Sequence, residues 1–403
     1  ELAAVMDAAN AGIGLSLLKR YDNNTSNLVR RSDQWPFLQK GVAALGFMTG
    51  LHPDYHTVYD RPEKINYVKM EKIARLVHQA SWTLANAPAR PTAPPPSVHT
   101  AIETYRPVAD ELTRLGMAGC YAEPEPLQIK NIRWRMMGKF ALEEVSYEHD
   151  PRLPDCFGEL GAPTTAVCNV VRSDTRRPRP WLIWVHGAGQ GNLTDLAVAR
   201  VGRIRRELGF NVALPVQPGH GVRRKSWPTY PDTDPLANVA GMMRAVSEVR
   251  AVIRWIDPQA TVVVLSGLSL GSGVAALTSA FEPVDGVALY TPILGLNAMI
   301  ANHLHRWGEQ AADVLSVLGS DVVSELTSVI DPLAVQPLPP PNRRLIVGAW
   351  NDQMAMRAPA ELLHEKWGGQ LYWHDGSHVG HVFSGRVQAV TERFLREVAG
   401  QAP

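Results

Sequence analysis

A serine set among small residues, Gly267-Leu268-Ser269-Leu270-Gly271, matches the pattern G-x-S-x-G. A serine hydroxyl is a weak nucleophile in water, so a chain that uses one must supply a base. The spacing has a steric reason. At the tip of a sharp strand-to-helix turn, the residues two before and two after the serine are crowded, and glycine removes their Cβ atoms. The hydroxyl then stands above a strand end, at the N-terminus of a helix whose dipole favours developing negative charge. That chemistry is acyl transfer: Ser269 attacks a carbonyl, a histidine takes its proton, and an acid orients the histidine. Ser266 and Ser272 lack glycines at both flanking positions and read as turn or cap residues.

The chain order expected for such a site is serine, acid, histidine. Asp352 follows the apolar run "RRLIVGAWN", and His378 lies just past "QLYWH". Both fall at the ends of strands, on the rim where Ser269 points. His374 ends a strand beside Asp375, so a local hydrogen bond suffices for it, and His381 reads as the start of the last helix. Asp331 belongs to a helical insertion, Asp285 precedes its strand, and Asp375 is too near His378 to come from a separate strand.

A tetrahedral intermediate also needs two N–H donors. Leu270 supplies one. The second is expected from the loop His186-Gly187-Ala188-Gly189-Gln190-Gly191, at Ala188 first and Gly187 next. His186, Gly189 and Leu268 are placed beside the substrate. This loop lacks both G-x-G-x-x-G with an acidic partner and a G-K-[ST] ending, so no nucleotide site is expected. The reaction requires no cofactor.

Residues that must converge need a frame. From about residue 100 onward, strands and helices alternate. "FALEEVSYEHD" and "TTAVCNVVRSD" read as early strands, and "RPWLIWVHG" as a strand covered on both faces. "VARVGRIRRELGF" is read as a helix and "NVALPVQPGHG" as a strand running into a loop. From Asn238 to Ile256, apolar residues recur every three or four positions, a long helix. Strand "TVVVLS", a helix from Ser272, strand "VDGVALYT" and a helical stretch from Asn297 to Ile330 follow. Strand "RRLIVGAW", helix "APAELLHEKW", strand "QLYWHD" and a helix from Arg386 to Val398 close the chain. This alternation predicts an α/β class: a parallel sheet with helices on both faces.

The Pro- and Ala-rich stretch Asn86 to Thr100 reads as a linker (87–100), setting off a short piece, 1–86, from a long one, 101–403. The short piece holds a first helix, one strand reading at Gly41 to Gly50, and an amphipathic helix from Asn66 to Asn86 that places Tyr67, Met70, Ile73, Leu76, Val77 and Trp82 largely on one face. A strand with no sheet to join makes this piece look like the end of something larger.

The bulk figures exclude some classes. With 45% hydrophobic and 20% charged residues and a net charge of +1, no field draws the whole chain to nucleic acid or to an anionic membrane. The basic clusters Arg176, Arg177, Arg179 and Arg223 to Lys225 read as solvated loop charges. Three cysteines, Cys120, Cys156 and Cys168, fit neither a disulfide framework nor a zinc knuckle. No apolar run approaches the roughly 18 residues of a membrane span, so no stable membrane insertion is expected. The chain begins at Glu1 and carries no legible signal peptide, which sets a cytoplasmic location as the expectation.

Over about 130 to 400, "VHGAG", "PGHG" at Pro218 to Gly221, "GLSLGSG", "GAWND" and "GSHVGH" resemble the α/β-hydrolase superfamily, and the PGHG loop resembles one carried by many esterases and monoacylglycerol lipases. The resemblance implies the α/β-hydrolase fold, with an eight-stranded, mostly parallel sheet and a helical cap. The cap would run from about Asn297 to Pro341, where Ile300, Leu304, Trp307, Leu315 and Leu318 could wall an acyl pocket, with Trp307 against the substrate. The expected function is a carboxylic ester hydrolase acting on a small-molecule ester. The same residues would also permit thioester or amide cleavage.

The short piece resembles the carboxyl-terminal end of zinc aminopeptidases of the bacterial leucyl-aminopeptidase type, through "RSDQWPF", "TG" and "YHTVYDRPEKINY". In that family the histidine of the His-Thr pair ligates zinc, which implies His56 here. Gln34 and Arg61 depart from the pattern, and the remaining ligands of that family lie upstream of this segment. One imidazole does not hold a metal that takes three or four protein ligands. His52, Asp54 and His56 lie close enough to make a metal-binding module the alternative reading. The expectation is a truncated peptidase tail joined to a complete hydrolase, packing on it or on a second copy through its strand edge.

Overall fold

The computed structural model of the chain describes residues 2–17, 33–34, 37, 42–48, 60–89, 102–137, 140–173, 177–224, 230–304 and 312–401. The chain divides into two units, Glu1–Thr104 and Tyr105–Pro403.

In the first unit, α1 (Leu2–Asn10) packs on α2 (Tyr67–Ala85) through Met6, Ala9, Leu76 and Ala80. The Asn66 side chain caps α2 by accepting from Lys69 N. The apolar face expected on α2 is buried only in part: Trp82 is 67% exposed, and Tyr67 and Met70 are exposed too. Of the expected strand Gly41–Gly50, the described residues 42–48 form no strand. Apart from a single bridge at Val42, residues 43–48 are irregular, and no further strand is described in this unit to complete its backbone hydrogen bonds.

The second unit opens with α3 (Arg106–Cys120) and is built on one sheet of nine strands. These are β1 (Gln128–Met137), β2 (Phe140–His149), β3 (Thr164–Val171), β4 (Arg179–Val185), β5 (Asn211–Val216), β6 (Ala260–Leu268), β7 (Gly286–Tyr290), β8 (Arg344–Ala349) and β9 (Gln370–His374). Their spatial order is β1-β2-β3-β5-β4-β6-β7-β8-β9. β4 to β9 are parallel to one another, and β1, β2, β3 and β5 pair antiparallel in succession. This is the sheet of an α/β-hydrolase fold, with one strand more than the eight expected. The added strand, β1, lies at the edge. Its apolar residues stay in solvent (Trp134 is 63% exposed), so it carries no burial signal in sequence.

Helices α4 (Asp195–Val198), α5 (Val201–Leu208) and α6 (Pro235–Ile256) connect β4 to β6, with β5 between. α7 (Leu270–Phe281) follows β6. After β7 come α8 (Leu296–Leu304), α9 (Ala312–Leu318) and α10 (Asp321–Thr327); α11 (Ala358–Trp367) and α12 (Gly385–Val398) finish the chain. The helix expected across "VARVGRIRRELGF" breaks at Arg200, which takes φ 51°. β4 is buried from Trp181 to Val185 because helices cover both its faces. On one face Ile204 and Leu208 of α5 and Phe394 and Leu395 of α12 pack on Leu182, Val264 and Tyr290.

α6 starts at a proline, capped by the Asp234 side chain on Leu236 N, and is buried on nearly every side. Two of its buried charges are paired, Glu248 with Arg223 in two bonds of 2.6 and 2.8 Å and Arg250 with Glu282 at 2.9 Å, while Arg244 donates to Leu160 O and Ala162 O. Arg223 is therefore a core residue rather than a solvated one. Its partner lies on another element, and no local pattern announces the pair.

From β4 the chain passes to β5 on one side and then crosses to β6 on the other. Such a switch leaves a crevice above the carboxyl ends of β4 and β6, where open α/β sheets bind ligands. His186 follows β4, and Ser269 follows β6. No helix among the described residues is long and apolar enough to cross a membrane.

Candidate active site

One residue, Ser269, separates β6 from α7. It has φ 53° and ψ −117°, a conformation that costs a non-glycine residue on the order of 1–3 kcal/mol. The flanking glycines permit it in different ways. A Cβ on Gly267 would lie 2.3 Å from Gly271 O, across the turn. A Cβ on Gly271 would lie 2.2 Å from Val185 O, so this glycine seats α7 against the end of β4. The Ser269 N–H donates to Tyr290 O at 2.9 Å, and Ile293 N–H donates to Ser272 Oγ at 3.1 Å, so Ser272 braces the turn.

Three loops meet over Ser269. His378 Nε2 lies 2.8 Å from Ser269 Oγ, and His378 Nδ1 lies 2.8 Å from Asp352 Oδ2. The other carboxylate oxygen of Asp352 accepts from Met354 N at 2.8 Å and Ala355 N at 2.9 Å. Burial acts to raise the Asp352 carboxyl. The hydrogen bonds from His378, Ala355 and Met354 outweigh it and hold the group below its ordinary value. With Asp352 ionised, Nδ1–H donates to it, and the lone pair of Nε2 faces the serine hydroxyl. Ser269 is 6% exposed, so the relay is shielded from bulk water.

The other candidates lie elsewhere. His374 is buried and accepts from Gly376 N, Asp331 caps the turn Pro332–Ala334, and Asp285 accepts from Val263 N. The side chain of His381, and all of Trp307 and His56, lie outside the described residues. Among those described, no group of three or more His, Cys, Asp or Glu residues comes together to hold a metal, and no step is derived through one.

The loop after β4 supplies the oxyanion candidates. Gly187 N–H is already engaged by Gln190 Oε1 at 2.7 Å. Ala188 N–H donates to no described residue and is exposed. Leu270 N–H belongs to the first turn of α7, where no intrahelical acceptor exists. Gly189, at φ 75°, carries the turn.

His186, expected beside substrate, is buried and serves the loop instead. Its Nε2 accepts from Gln217 N at 3.1 Å, so Nδ1 carries the hydrogen and donates to Gly187 O at 2.8 Å. Gln217 also donates to His186 O and accepts from Tyr230 Oη. Burial pushes His186 down to about 3, which fixes the neutral ring. Leu268, also expected beside substrate, is buried in the core with Leu182 and Tyr290. Sequence reasoning missed Gln190, Gln217, Tyr230 and Asp195, because their partners lie on other turns of the chain. Asp195 Oδ2 accepts from Gly191 N at 2.8 Å and Asn192 N at 3.0 Å.

Of the cap residues expected to wall a pocket, Leu318 is buried, and Ile300, Leu304 and Leu315 are half-buried. His303 of α8 meets Met354 O at 3.3 Å, which ties the cap to the loop of Asp352.

Two buried carboxyls carry a pH signature. Burial pushes Asp195 up to about 6 and Asp234 up to about 7. Each keeps one oxygen buried without a partner, as a protonated carboxyl tolerates. Their folded values lie above the unfolded value of about 3.9. The stability they contribute is therefore full below that value and is lost as pH rises through 6 and 7. Buried neutral histidines such as His186 act in the opposite sense, so the comparison must be made against the parent. Asp234→Asn is expected to gain about 2 kcal/mol on its parent between pH 5 and pH 8. Urea melts at the two pH values measure it, and a pH-independent difference contradicts the assignment.

Comparison with known proteins adds the following. Residues 1–81 match Peptidase family M28, in line with the aminopeptidase-like pattern of this segment. The Uncharacterized protein Rv2627c of Mycobacterium tuberculosis (strain ATCC 25618 / H37Rv) is 32% identical over 232 residues, which cover 55% of this chain and 54% of that protein. Its counterpart in strain CDC 1551 / Oshkosh matches equally. The chain thus spans about half the length of the curated relatives it matches. Among solved structures it is similar to acetyl xylan esterase 1 from Thermoanaerobacterium sp. JW/SL YS485, at 13% identity and TM-score 0.46, covering 74% of this chain and 93% of that one. It is also similar to the Pyrobaculum calidifontis esterase, at 17% identity and TM-score 0.42, covering 74% and 92%.

Proposed function

We propose that the chain is a serine hydrolase that cleaves carboxylic esters through an acyl-enzyme. The observation that carries this reading is the unbroken relay Asp352–His378–Ser269, with both contacts at 2.8 Å. In the forward step Ser269 Oγ adds to the carbonyl carbon while His378 Nε2 takes its proton. Asp352 holds the imidazole and stabilises the imidazolium. The N–H groups of Leu270 and Ala188 bind the oxyanion, in a site where water competes little. His378 then protonates the departing alcohol, takes a proton from water, and the hydroxide releases the acid. Gln190 keeps Gly187 N–H occupied, which leaves Ala188 as the donor on that loop.

A small apolar cavity of about 10 Å³ abuts Leu270 between α6 and the cap, lined by Met242, Ile293, Leu296 and Ile330. That is room for one water-sized group, which favours the shortest acyl groups. A p-nitrophenyl ester series is expected to give its highest kcat/KM on short acyl groups. A fluorophosphonate is expected to label Ser269 stoichiometrically and stop turnover. Turnover that survives complete labelling, or labelling at another residue, would overturn the reading.

A further inference from the structure

The chemistry of the relay assigns a side of the site to the leaving alcohol. His378 Nε2 lies 2.8 Å from Ser269 Oγ and is the group that returns a proton to the departing oxygen. That oxygen must come within hydrogen-bond reach of Nε2, so the alcohol lies along the loops that hold the imidazole. One of these, after β9, carries His378 itself. The other, after β8, carries Asp352, which accepts from Nδ1 at 2.8 Å.

Both loops present apolar side chains to solvent. Val379, next to His378, is 54% exposed, and Met354 and Met356, two and four residues past Asp352, are 46% and 54% exposed. One such residue is ordinary on a surface, whereas a group of them on the loops around one reactive nitrogen points to a ligand. The loop after β8 is held in place. Asp352 Oδ1 accepts from Met354 N and Ala355 N, Met354 O meets His303 of α8, and Trp350 stacks on Trp373 with ring centroids 4.7 Å apart. Methionine suits such a rim, because its unbranched, polarizable chain adapts to ligands of varied shape. The exposed charges on these loops, Arg357 and Asp375, are of opposite sign, and Gln353 and Ser377 are neutral. A charged alcohol therefore gains no net attraction there. The acyl side is the reverse: the cavity at Leu270 has room for one water-sized group.

We propose that the substrates are short-chain esters of bulky, uncharged, apolar alcohols, and that Met354, Met356 and Val379 select the alcohol. This rests on the hydrolase reading. The apolar body of the alcohol covers the three side chains. The alcohol is still attached in the first transition state, so its burial raises kcat/KM. All acetates then pass through the same acetyl-enzyme, and the alcohol has no further influence.

Three esters test this on the full chain: ethyl acetate, hexyl acetate and ethyl hexanoate. The last two are isomers and differ only in which side of the ester carries the long chain. Hexyl acetate is expected to exceed ethyl acetate in kcat/KM by about tenfold or more, and to exceed ethyl hexanoate by more still. The double variant Met354→Gln with Met356→Gln, and the variant Val379→Thr, keep size and place polar atoms on the rim. In each the ratio of hexyl to ethyl acetate is expected to fall about fivefold. The ratio cancels any general loss of activity, and fluorophosphonate labelling of Ser269 checks that each variant keeps its site. A parent ratio near one overturns the inference and leaves the hydrolase reading standing, because turnover itself persists. A high ratio that neither variant lowers also overturns it, by removing the rim from the selection. Preference for ethyl hexanoate over hexyl acetate puts the long chain on the acyl side and overturns it as well. Absence of both turnover and labelling overturns the hydrolase reading, and this inference with it.

Discussion

Ser269→Ala is expected to lower ester hydrolysis by about 10⁵-fold or more, because removing the attacking oxygen leaves only binding and oxyanion stabilisation. The variant keeps the rest of the relay. His378 Nδ1 still has Asp352, and Asp352 still has the Met354 and Ala355 amides. Stability should change by less than about 1 kcal/mol, since one buried hydrogen bond is lost and no cavity larger than an oxygen is made. The pairing of these two outcomes is the discriminating result. A large loss of activity together with unfolding would indicate damage to the turn. Activity within tenfold of the parent would remove Ser269 from the chemistry. Initial rates on a p-nitrophenyl ester and a urea melt of the same preparation decide between them.

Gly271→Ala is expected to destabilise the fold by about 3 kcal/mol or more and to abolish labelling of Ser269. The added Cβ would meet Val185 O at 2.2 Å and His186 O at 2.5 Å, both backbone atoms. Neither can yield without moving the end of β4, and with it the loop that carries Ala188. This is overpacking against main chain rather than against a flexible side chain, the more costly kind. Gly202→Ala is the control. It lies inside α5 with nothing within 4 Å of the added atom, so it is expected to be neutral or stabilising by up to about 1 kcal/mol. Equal melting behaviour of the two variants would refute the close-approach account of Gly271.

The elements legible in sequence share one property: their signal is local or periodic. The helix Pro235–Ile256 shows in its apolar repeat, and β4 shows as an unbroken apolar run because both faces are covered. The turn at Ser269 shows because its geometry demands glycine at fixed offsets. β1 was not legible. As an edge strand it keeps Trp134 and Met136 in solvent and presents charged residues between them, so nothing in it reads as core. The first unit misled in the opposite way. Apolar residues at helical spacing on α2 implied a buried face, yet only Leu76 and Ala80 are buried in that helix.

By itself, the sequence determined the residue types of the candidate centre, their order along the chain, and the strand ends that carry them. Those follow from covalent connectivity and from the period of the hydrophobic pattern. Only the tertiary structure decided which atoms meet. Asp352 and His378 come to Ser269 because β6, β7, β8 and β9 are neighbours in register, an outcome of sheet pairing over long separations. Gln190 takes the Gly187 N–H, and His186 turns inward to Gln217, because buried donors and acceptors must find partners wherever the fold brings them. That requirement acts through space, so it leaves no periodic trace in the chain.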